Sequence, residues 1–348
     1  MSAPAGPILG IDEKNRKSRI GTACWFAEID NTTQSILAQN DSPIQNPHSL
    51  TLLTCRKMSH HLVEQLIHIT WATKDAQNML SDGIRKELYS YLNVTIKSLN
   101  ARVFALNGGL NHVHLFIHLP PDLSLSEFMR NVKAFSSKWL RSAKKVDPHF
   151  AWQGGYTAFS VQKDRKDAVA NYILNDHVRH QELSYTQELT RFLQQQNISF
   201  NKQYLFTSTF SKLKTHLIWS TKNRLPLISS EIQSELYGFL QNCLVELRSE
   251  LLEINGMEDH VHLLIDAPRH ICLSNVVKEL KLKSHHWMQK NNKPDSVFEW
   301  QPGYGAFTVS GSSEDAVRKY IQNQKEHHRI TSSQEEWETF LQMCSISG

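Results

Sequence analysis

The stretch HVHLFI at residues 112–117 decides the fold, because it returns as HVHLLI at residues 260–265. The two stretches begin 148 positions apart, at residues 112 and 260. Further landmarks keep that spacing without an insertion: Trp71 and Trp219, Asn107 and Asn255, Trp139 and Trp287, Trp152 and Trp300, Tyr172 and Tyr320. A spacing shared by so many landmarks indicates two copies of one domain in a single chain.

The duplication predicts three parts of the chain. A period this long, present twice, indicates two globular units, because a solenoid needs shorter repeats and at least three of them. We place the first domain at 58–205 and the second at 206–348. Residues 1–57 have no counterpart in the second copy and contain many Ser, Asn, Gln and Pro, so we predict a flexible N-terminal extension.

Composition is consistent with a soluble protein. The chain has 348 residues and a 40% apolar share, which can supply a core to each of two domains. Its apolar runs are shorter than the ~20 residues of a membrane-spanning helix, so we expect a cytoplasmic protein without a membrane partner. The five cysteines show no CxxC spacing, which argues against disulfides and a thiolate zinc site. A net charge of +4 permits a polyanionic partner without requiring one.

Each copy has the same predicted order of elements. A β-rich run precedes a helical pattern, two strands flank a tight Asn-Gly turn, and a second helix, a short strand and a last helix follow. The order βαββαβα is typical of the α+β class, with helices packed on an antiparallel, ferredoxin-like sheet. We therefore predict two tandem ferredoxin-like domains.

The histidines that begin each repeated stretch form the first candidate site. Successive side chains of a strand face opposite ways, so His260 and His262 share one face while the apolar residues between and after them share the other. Two such histidines can converge on a divalent cation. A single pair of this kind is more often a surface feature. Its repetition as His112 and His114 favours the metal site.

The last helix of each copy carries a tyrosine, Tyr172 or Tyr320. Tyr320 and Gln324 are four positions apart, which makes them neighbours on one helical face. A phenol beside a metal-bound phosphate can act as a nucleophile and hold a covalent phosphotyrosine link. Core packing is the alternative role of a tyrosine on an amphipathic helix, and the helix alone does not decide between the two.

These features together resemble the single-tyrosine HUH transposases of insertion sequences, and most closely the REP-associated tyrosine transposases. The resemblance rests on the His-x-His pair, the segment WQPGYGAFTV at 300–309, and Tyr-Ile at 320–321 before a charged helix. It covers both repeats and implies the HUH endonuclease fold. It also implies cleavage and rejoining of single-stranded DNA at hairpin-containing ends, through a 5′-phosphotyrosine intermediate, with Mg²⁺ or Mn²⁺ as cofactor. Such an enzyme would associate with the nucleoid when bound to DNA.

The resemblance assigns one nucleophile and three metal ligands to each copy: Tyr320, His260, His262 and Gln324 in the second, and Tyr172, His112, His114 and Asp176 in the first. Asp176 departs from the family pattern, which has glutamine at this position. A carboxylate is a good ligand for a hard cation, so Asp176 can serve. The second copy matches the pattern more closely.

Members of this family often work as dimers that combine the histidines of one subunit with the tyrosine helix of the other. A tandem duplication would place such a pair in one chain, so we expect a monomeric pseudo-dimer. This suggests the hypothesis of crossed sites, in which Tyr172 serves the histidines of the second copy and Tyr320 serves those of the first.

The second helix of each copy is the predicted DNA surface. Its cations can neutralise backbone phosphates, whereas Trp139 and Trp287 can either stack a base or, more commonly, pack in the core. His68 and His216 in the first strands are interpreted as structural. The candidate DNA-binding residues are Lys133, Lys138, Arg141, Lys278, Lys281 and Lys283.

Two other functions remain open from the sequence. A domesticated descendant would bind hairpin DNA with little or no cleavage, and Asp176 is the feature that favours it. A metal-dependent phosphohydrolase that uses water would keep the histidines and make Tyr172 and Tyr320 dispensable.

Overall fold

A computed structural model describes residues 62–143, 146–291 and 297–345 of the chain. The predicted extension at 1–57 lies outside the described residues. The elements of the first copy are β1 (Leu62–Glu64), β2 (Leu66–Ala72), α1 (Asp82–Ser98), β3 (Arg102–Asn107), β4 (His112–His118), α2 (Leu125–Ser142), β5 (Thr157–Ser160), α3 (Lys166–Leu174), α4 (Asp176–Arg179) and α5 (Tyr185–Gln195). Those of the second are β6 (Phe210–Lys212), β7 (Lys214–Ser220), α6 (Ser230–Glu246), β8 (Glu250–Met257), β9 (His260–Asp266), α7 (Leu273–Asn291), β10 (Gly305–Thr308), α8 (Glu314–Gln322), α9 (Gln324–His327) and α10 (Ser333–Ser345). None of the helices within these ranges has the length and apolar character needed to cross a membrane.

The strands form two five-stranded sheets, with the orders β3-β4-β2-β5-β6 and β8-β9-β7-β10-β1. Four strands of each sheet come from one copy and pair in antiparallel fashion. Of these four, the first and third along the chain lie in the centre: β2 and β4 in one sheet, and β7 and β9 in the other. This is the ferredoxin-like arrangement. The predicted α+β fold is confirmed.

The predicted turn at Asn255 and Gly256 is wrong, whereas Gly108 of the first copy does lie in the connection between β3 and β4. Asn255 and Gly256 lie inside β8, and Gly256 pairs with Val261 of β9. A Cβ atom on Gly256 would lie 2.2 Å from the carbonyl oxygen of His260. The chain instead reverses at residues 258–259. Gly256 is therefore required by the close approach of two paired strands, and not by a turn.

The fifth strand of each sheet is exchanged between the copies. β1 pairs in parallel with β10, and β6 pairs in parallel with β5. Reciprocal side-chain bonds join the same edges: the hydroxyl of Ser160 donates to the carbonyl oxygen of Val309, and that of Thr308 donates to the carbonyl oxygen of Val161, each at 2.7 Å. The two copies thus share hydrogen-bonded sheet edges, which the sequence did not predict. The domain bounds at 58–205 and 206–348 stay a prediction.

Strand alternation decides which helices cover the histidines. Val113, Leu115 and Ile117 of β4 lie in the core with α1 and α2. His112 and His114 face the opposite side of the sheet, where their ring nitrogens meet side chains of α4 and α5. The helix α2, which carries the predicted DNA-binding cations, therefore lies on the other face of the sheet from the histidines.

Candidate active site

Each histidine of the first pair is held through one ring nitrogen. Nδ1 of His112 lies 2.8 Å from Oδ1 of Asn111, and Nδ1 of His114 lies 3.1 Å from Nε2 of His68. Burial, helped by the neighbouring His114, lowers the pKa of His68 to about 3, so this imidazole is neutral and can accept through Nε2. With its proton on Nδ1, each paired histidine presents Nε2 as a ligand atom to the space below α4 and α5.

The second pair is held in the same way. Nδ1 of His260 lies 2.6 Å from Oδ1 of Asp259, and Nδ1 of His262 lies 3.0 Å from Nε2 of His216. Burial lowers the pKa of His216 well below its usual value, which again keeps the supporting imidazole neutral. His68 and His216 therefore have a definite structural role, which is to orient the second histidine of each pair.

Two acids and a third imidazole complete the first site. Asp176 approaches Nε2 of His112 to 3.4 Å and Nε2 of His114 to 3.5 Å. Oε2 of Glu188 lies 3.1 Å from Nε2 of His114. Nε2 of His180 lies 3.3 Å from Asp176 and 3.2 Å from Glu188. One ligand atom from each of these five residues lies within 4.8 Å of all the others.

The second site has the amide Gln324 at the position where the first site has the acid Asp176. Oε1 of Gln324 lies 3.4 Å from Nε2 of His260, and Oε2 of Glu336 lies 3.4 Å from Nε2 of His262. Nε2 of His328 lies 3.1 Å from Nε2 of His260. Ligand atoms of His260, His262 and Glu336 lie within 4.8 Å of one another. The predicted ligands of each copy are therefore brought together.

The chemistry of these donors fits a divalent cation. Oδ2 of Asp176 and Nε2 of His262 are buried and make no hydrogen bond with any residue that the structure describes. Burial acts to raise the pKa of Glu188 and of Glu336, but the adjacent histidines hold both well below the usual range, so both are carboxylates. A buried anion with unsatisfied polar neighbours is costly without a positive partner. Imidazole and carboxylate donors together suit a divalent cation.

Each tyrosine lies beside the histidines of its own copy. The ring of Tyr172 is 6.3 Å from that of His114, and the ring of Tyr320 is 5.9 Å from that of His262. The structure therefore has uncrossed sites, and the hypothesis of crossed sites does not describe it. Each hydroxyl donates to an acid of the same site, Tyr172 to Glu188 and Tyr320 to Glu336. Burial and these carboxylates raise the pKa of both phenols.

Each copy thus places a tyrosine, two histidines and an acid in one buried site on a ferredoxin-like sheet. A family model described as IS200-like transposase matches residues 61–176 and 209–324, which is more than half of the chain. The chain belongs to the IS200-like transposase family. The two matches coincide with the two copies found in the sequence, so the tandem duplication is a duplication of the family's own domain.

Similar proteins include the ISDra2 transposase TnpA of Deinococcus radiodurans, which is 31% identical over 118 residues, or 32% of this transposase and 84% of the relative. A crystal structure of a Deinococcus radiodurans R1 protein described as a transposase shares 32% identity, covers 32% of this chain and 91% of its own, and has a TM-score of 0.27. A REP-associated tyrosine transposase bound to a REP hairpin shares 15% identity, covers 34% and 68%, and has a TM-score of 0.29.

Two of the DNA-binding candidates of this IS200-like transposase have partners inside the protein. Nζ of Lys133 donates to the carbonyl oxygens of residues 153, 154 and 155, and Nζ of Lys281 donates to those of residues 301 and 303. Burial lowers the pKa of each ammonium to about 8. Lys133 and Lys281 therefore hold the loop before the last strand and are poor candidates for phosphate contacts.

The remaining candidates lie nearer the surface. Lys138, Arg141 and Lys278 are exposed, although Arg141 also donates to the carbonyl oxygen of Phe150 at 3.0 Å. Lys283 forms a 2.6 Å ion pair with Glu246. Both tryptophans are partly buried, as the core interpretation expects: Trp139 stacks on Tyr91 and Trp287 on Phe239.

Sequence reasoning missed four residues of the two sites: Glu188 and Glu336, and His180 and His328. The members of each pair are 148 positions apart, so the repeat spacing that identified the tyrosines also relates them. They escaped notice because Glu188 lies on α5, a different helix from Tyr172, and only the fold brings that helix back over the histidines.

Proposed function

We propose that this transposase cleaves and rejoins single-stranded DNA at hairpin-containing ends through a 5′-phosphotyrosine intermediate, with Mg²⁺ or Mn²⁺ as cofactor. One observation carries the proposal. In each copy the tyrosine hydroxyl donates to a glutamate that also faces Nε2 of a paired histidine. A nucleophile, an acceptor for its proton and ligands for a cation are therefore in contact, which is the arrangement that covalent phosphoryl transfer requires.

The residues divide the reaction as follows in the second copy. The hydroxyl oxygen of Tyr320 attacks the phosphorus, while Glu336 accepts its proton. A bond forms between the phenolic oxygen and phosphorus, the bond from phosphorus to the 3′ oxygen breaks, and that oxygen takes a proton from solvent water and leaves as a hydroxyl. His260, His262 and Gln324 hold the cation, which when bound would polarise the phosphoryl oxygens. Rejoining is the reverse attack by a 3′ hydroxyl on the phosphotyrosine.

The proposed DNA partner is a single strand that carries hairpins. A relative in this family is described as bound to a REP hairpin, and two exposed cations of α2, Lys138 and Arg141, together with Lys278 of α7 can neutralise phosphates. These cations lie on the sheet face opposite the histidines, so we propose that the hairpin is held there while its single-stranded flank reaches the site. We propose a monomeric pseudo-dimer in the cytoplasm, associated with the nucleoid when bound to DNA.

The test is a denaturing gel of the full chain with end-labelled hairpin DNA and Mn²⁺. The wild type should form a covalent protein–DNA adduct, and a chain with both Tyr172→Phe and Tyr320→Phe should form none. Tyr204→Phe is the matched control, because this exposed tyrosine belongs to neither site and to neither of the proposed DNA-binding helices. Cleavage that survives in the double variant would replace the proposal by water-dependent hydrolysis. Binding without any adduct in the wild type would replace it by a non-cleaving hairpin-binding protein.

A further inference from the structure

Arg179 distinguishes the first site from the second. Its Nε lies 2.7 Å from Oε1 of Glu188, and its Nη2 lies 2.5 Å from Oδ1 of Asp176. Its Nη1 donates to the carbonyl oxygen of Tyr172 at 2.7 Å, and the guanidinium carbon lies 3.6 Å from the centre of the Tyr172 ring. One side chain therefore holds both acids and the tyrosine of this site.

The second copy has His327 at the position of Arg179, 148 residues later. Nε2 of His327 is 3.7 Å from Glu336, and its ring centre is 5.3 Å from that of Tyr320. An imidazole is shorter than an arginine and lacks the fork of five N–H donors that binds two groups at once. At this position the second copy therefore offers Tyr320 and Glu336 an imidazole in place of the guanidinium of the first site.

The first consequence concerns the cation. A guanidinium is permanently charged, and here it bonds to one oxygen of Asp176 and one of Glu188, the two carboxylates that would otherwise attract a metal ion. A divalent cation that enters the histidines must share these carboxylates with Arg179 and is repelled by it at short range. The same ion in the second copy meets no guanidinium from the equivalent position.

The second consequence concerns the nucleophile. For Tyr172 to attack a phosphate, its hydroxyl must leave Glu188 and its ring must slide from beneath the guanidinium. Stacking of a cation on a ring and charge-assisted hydrogen bonds both oppose that movement. Tyr320 has to break its bonds to Glu336 and Gln324, and the residue at the position of Arg179 is an imidazole in place of a guanidinium.

We infer that Arg179 makes the two copies unequal: it holds the first site in a cation-poor, restrained state, so that the second copy forms the covalent link to DNA. Arg179 is thus a positioning residue that acts through Tyr172 and the two acids. This inference rests on the proposed function. In the chain as it stands, the first copy contributes its DNA-binding surface and its exchanged strand, while cleavage belongs to the second.

The test places histidine at residue 179 of the first copy and arginine at residue 327 of the second. In a Tyr320→Phe chain, where only Tyr172 can react, little adduct forms, and adding Arg179→His should raise the adduct yield several-fold. In a Tyr172→Phe chain, adding His327→Arg should lower it. Arg179→Lys keeps the charge without the fork and should give a smaller gain than Arg179→His. A gain of adduct cannot result from a loss of folding, which thermal unfolding of each variant checks separately.

A calorimetric titration of the chelator-treated full chain with Mn²⁺ supplies a readout that does not depend on cleavage. We expect two classes of site in the wild type, and Arg179→His should tighten the weaker class by about tenfold, the low end of effects caused by groups beside metal ligands. Equal affinities in the wild type, or no change in Arg179→His, would overturn the inference. So would equal adduct yields from Tyr172 and Tyr320. Adduct absent from every chain would instead overturn the proposed function, while the titration would still decide the role of Arg179 in cation binding.

Discussion

The first and second sites share a framework and differ in where their charge lies. Around His112 the amide of Asn111 meets Nδ1 and the carboxylate of Asp176 meets Nε2. Around the equivalent His260 the carboxylate of Asp259 meets Nδ1 and the amide of Gln324 meets Nε2. The acid and the amide have exchanged sides of the imidazole. The ring positions needed for a cation are thus kept, while the electrostatics that tune its binding have diverged.

The largest effect that separates the sites should come from their glutamates. Glu336→Gln removes the group that accepts the proton of Tyr320 and a charged neighbour of His262. General-base contributions are typically 10²–10⁴-fold, so the rate of adduct formation should fall by about 100-fold or more. Glu188→Gln should change the total rate much less if the second copy cuts DNA. Quench-flow or timed gel sampling of adduct measures both rates.

Glu338→Gln is the control for that comparison. Glu338 lies on the same helix as Glu336, is exposed, and bonds only to Gln334 among the contacts described for α10. Its rate should equal that of the wild type. Equal losses from Glu188→Gln and Glu336→Gln would mean that both copies contribute to cleavage, and the functional contrast between the sites would disappear.

Because the two copies share a framework, equivalent substitutions in their cores should lower stability equally. Trp152 donates through Nε1 to the hydroxyl of Ser136, and Trp300 donates to that of Ser284, each at 2.9 Å. Both serines are fully buried, so alanine leaves an indole N–H without a partner, which costs about 1–3 kcal/mol. Ser136→Ala and Ser284→Ala should therefore lower the free energy of unfolding by similar amounts in denaturant titrations.

The control for this equality is Ser142→Ala, which removes an exposed hydroxyl of α2 and should change stability by less than about 0.5 kcal/mol. If one buried serine proves dispensable while the other does not, the two copies differ in their cores as well as in their sites. The likeness inferred from the repeat would then be limited to the backbone.

Residues that act through local periodicity were predictable from the sequence. Alternation along β4 and β9 placed each histidine pair on one face, and helical spacing placed Gln324 beside the site with Tyr320. The contributions of Glu188 and Lys133 depend on how distant segments fold together. α5 returns over the sheet 16 positions after Tyr172, and the carbonyl groups that bind Lys133 belong to a loop whose path no periodicity encodes. The sequence did not predict the exchange of β1 and β6 between the copies, because these strands also pair with segments far away in the chain.

A smaller effect should follow from removing the charge of Asp259, the acid beside Nδ1 of His260. Asp259→Asn replaces a charged acceptor of the Nδ1 proton of His260 by a neutral one, which makes Nε2 a weaker ligand. The Mn²⁺ affinity of the second site should fall by about tenfold, at the low end for such partners. The amide at residue 259 would then match Asn111. Calorimetry checks the shift, and an unchanged affinity would show that the exchange of acid and amide has no influence on the cation.

The smallest effect concerns pH and should be alike in both copies. Burial lowers the pKa of His68 to about 3 and that of His216 well below its usual value. Below pH 6.5 the unfolded chain binds protons at these histidines and the folded chain does not, so the metal-free protein should lose stability as the pH falls. Each such group contributes at most about 1.4 kcal/mol per pH unit, and nearer 1 kcal/mol between pH 6.5 and 5.5. Equal decreases of this slope in His68→Gln and His216→Gln, measured by denaturant unfolding, would confirm the matched roles.

Burial also lowers the pKa of His112, to about 4, and that of His262, so both add to the same loss between pH 6.5 and 5.5, and the comparison rests on the change in slope that each variant causes. Glu188 and Glu336 have lowered pKa values because histidines offset the effect of burial, so their stabilising contribution is complete above about pH 4.5 and declines only in more acidic solution. The bonds of His180 to Asp176 and Glu188 outweigh burial and raise its pKa to about 10; its contribution is present below pH 6.5 and declines only as the pH rises towards 10. A slope that His68→Gln leaves unchanged would mean that His68 is protonated in the folded chain. It could then no longer accept the proton of His114, and the ring orientation assigned to His114 would have to be reversed.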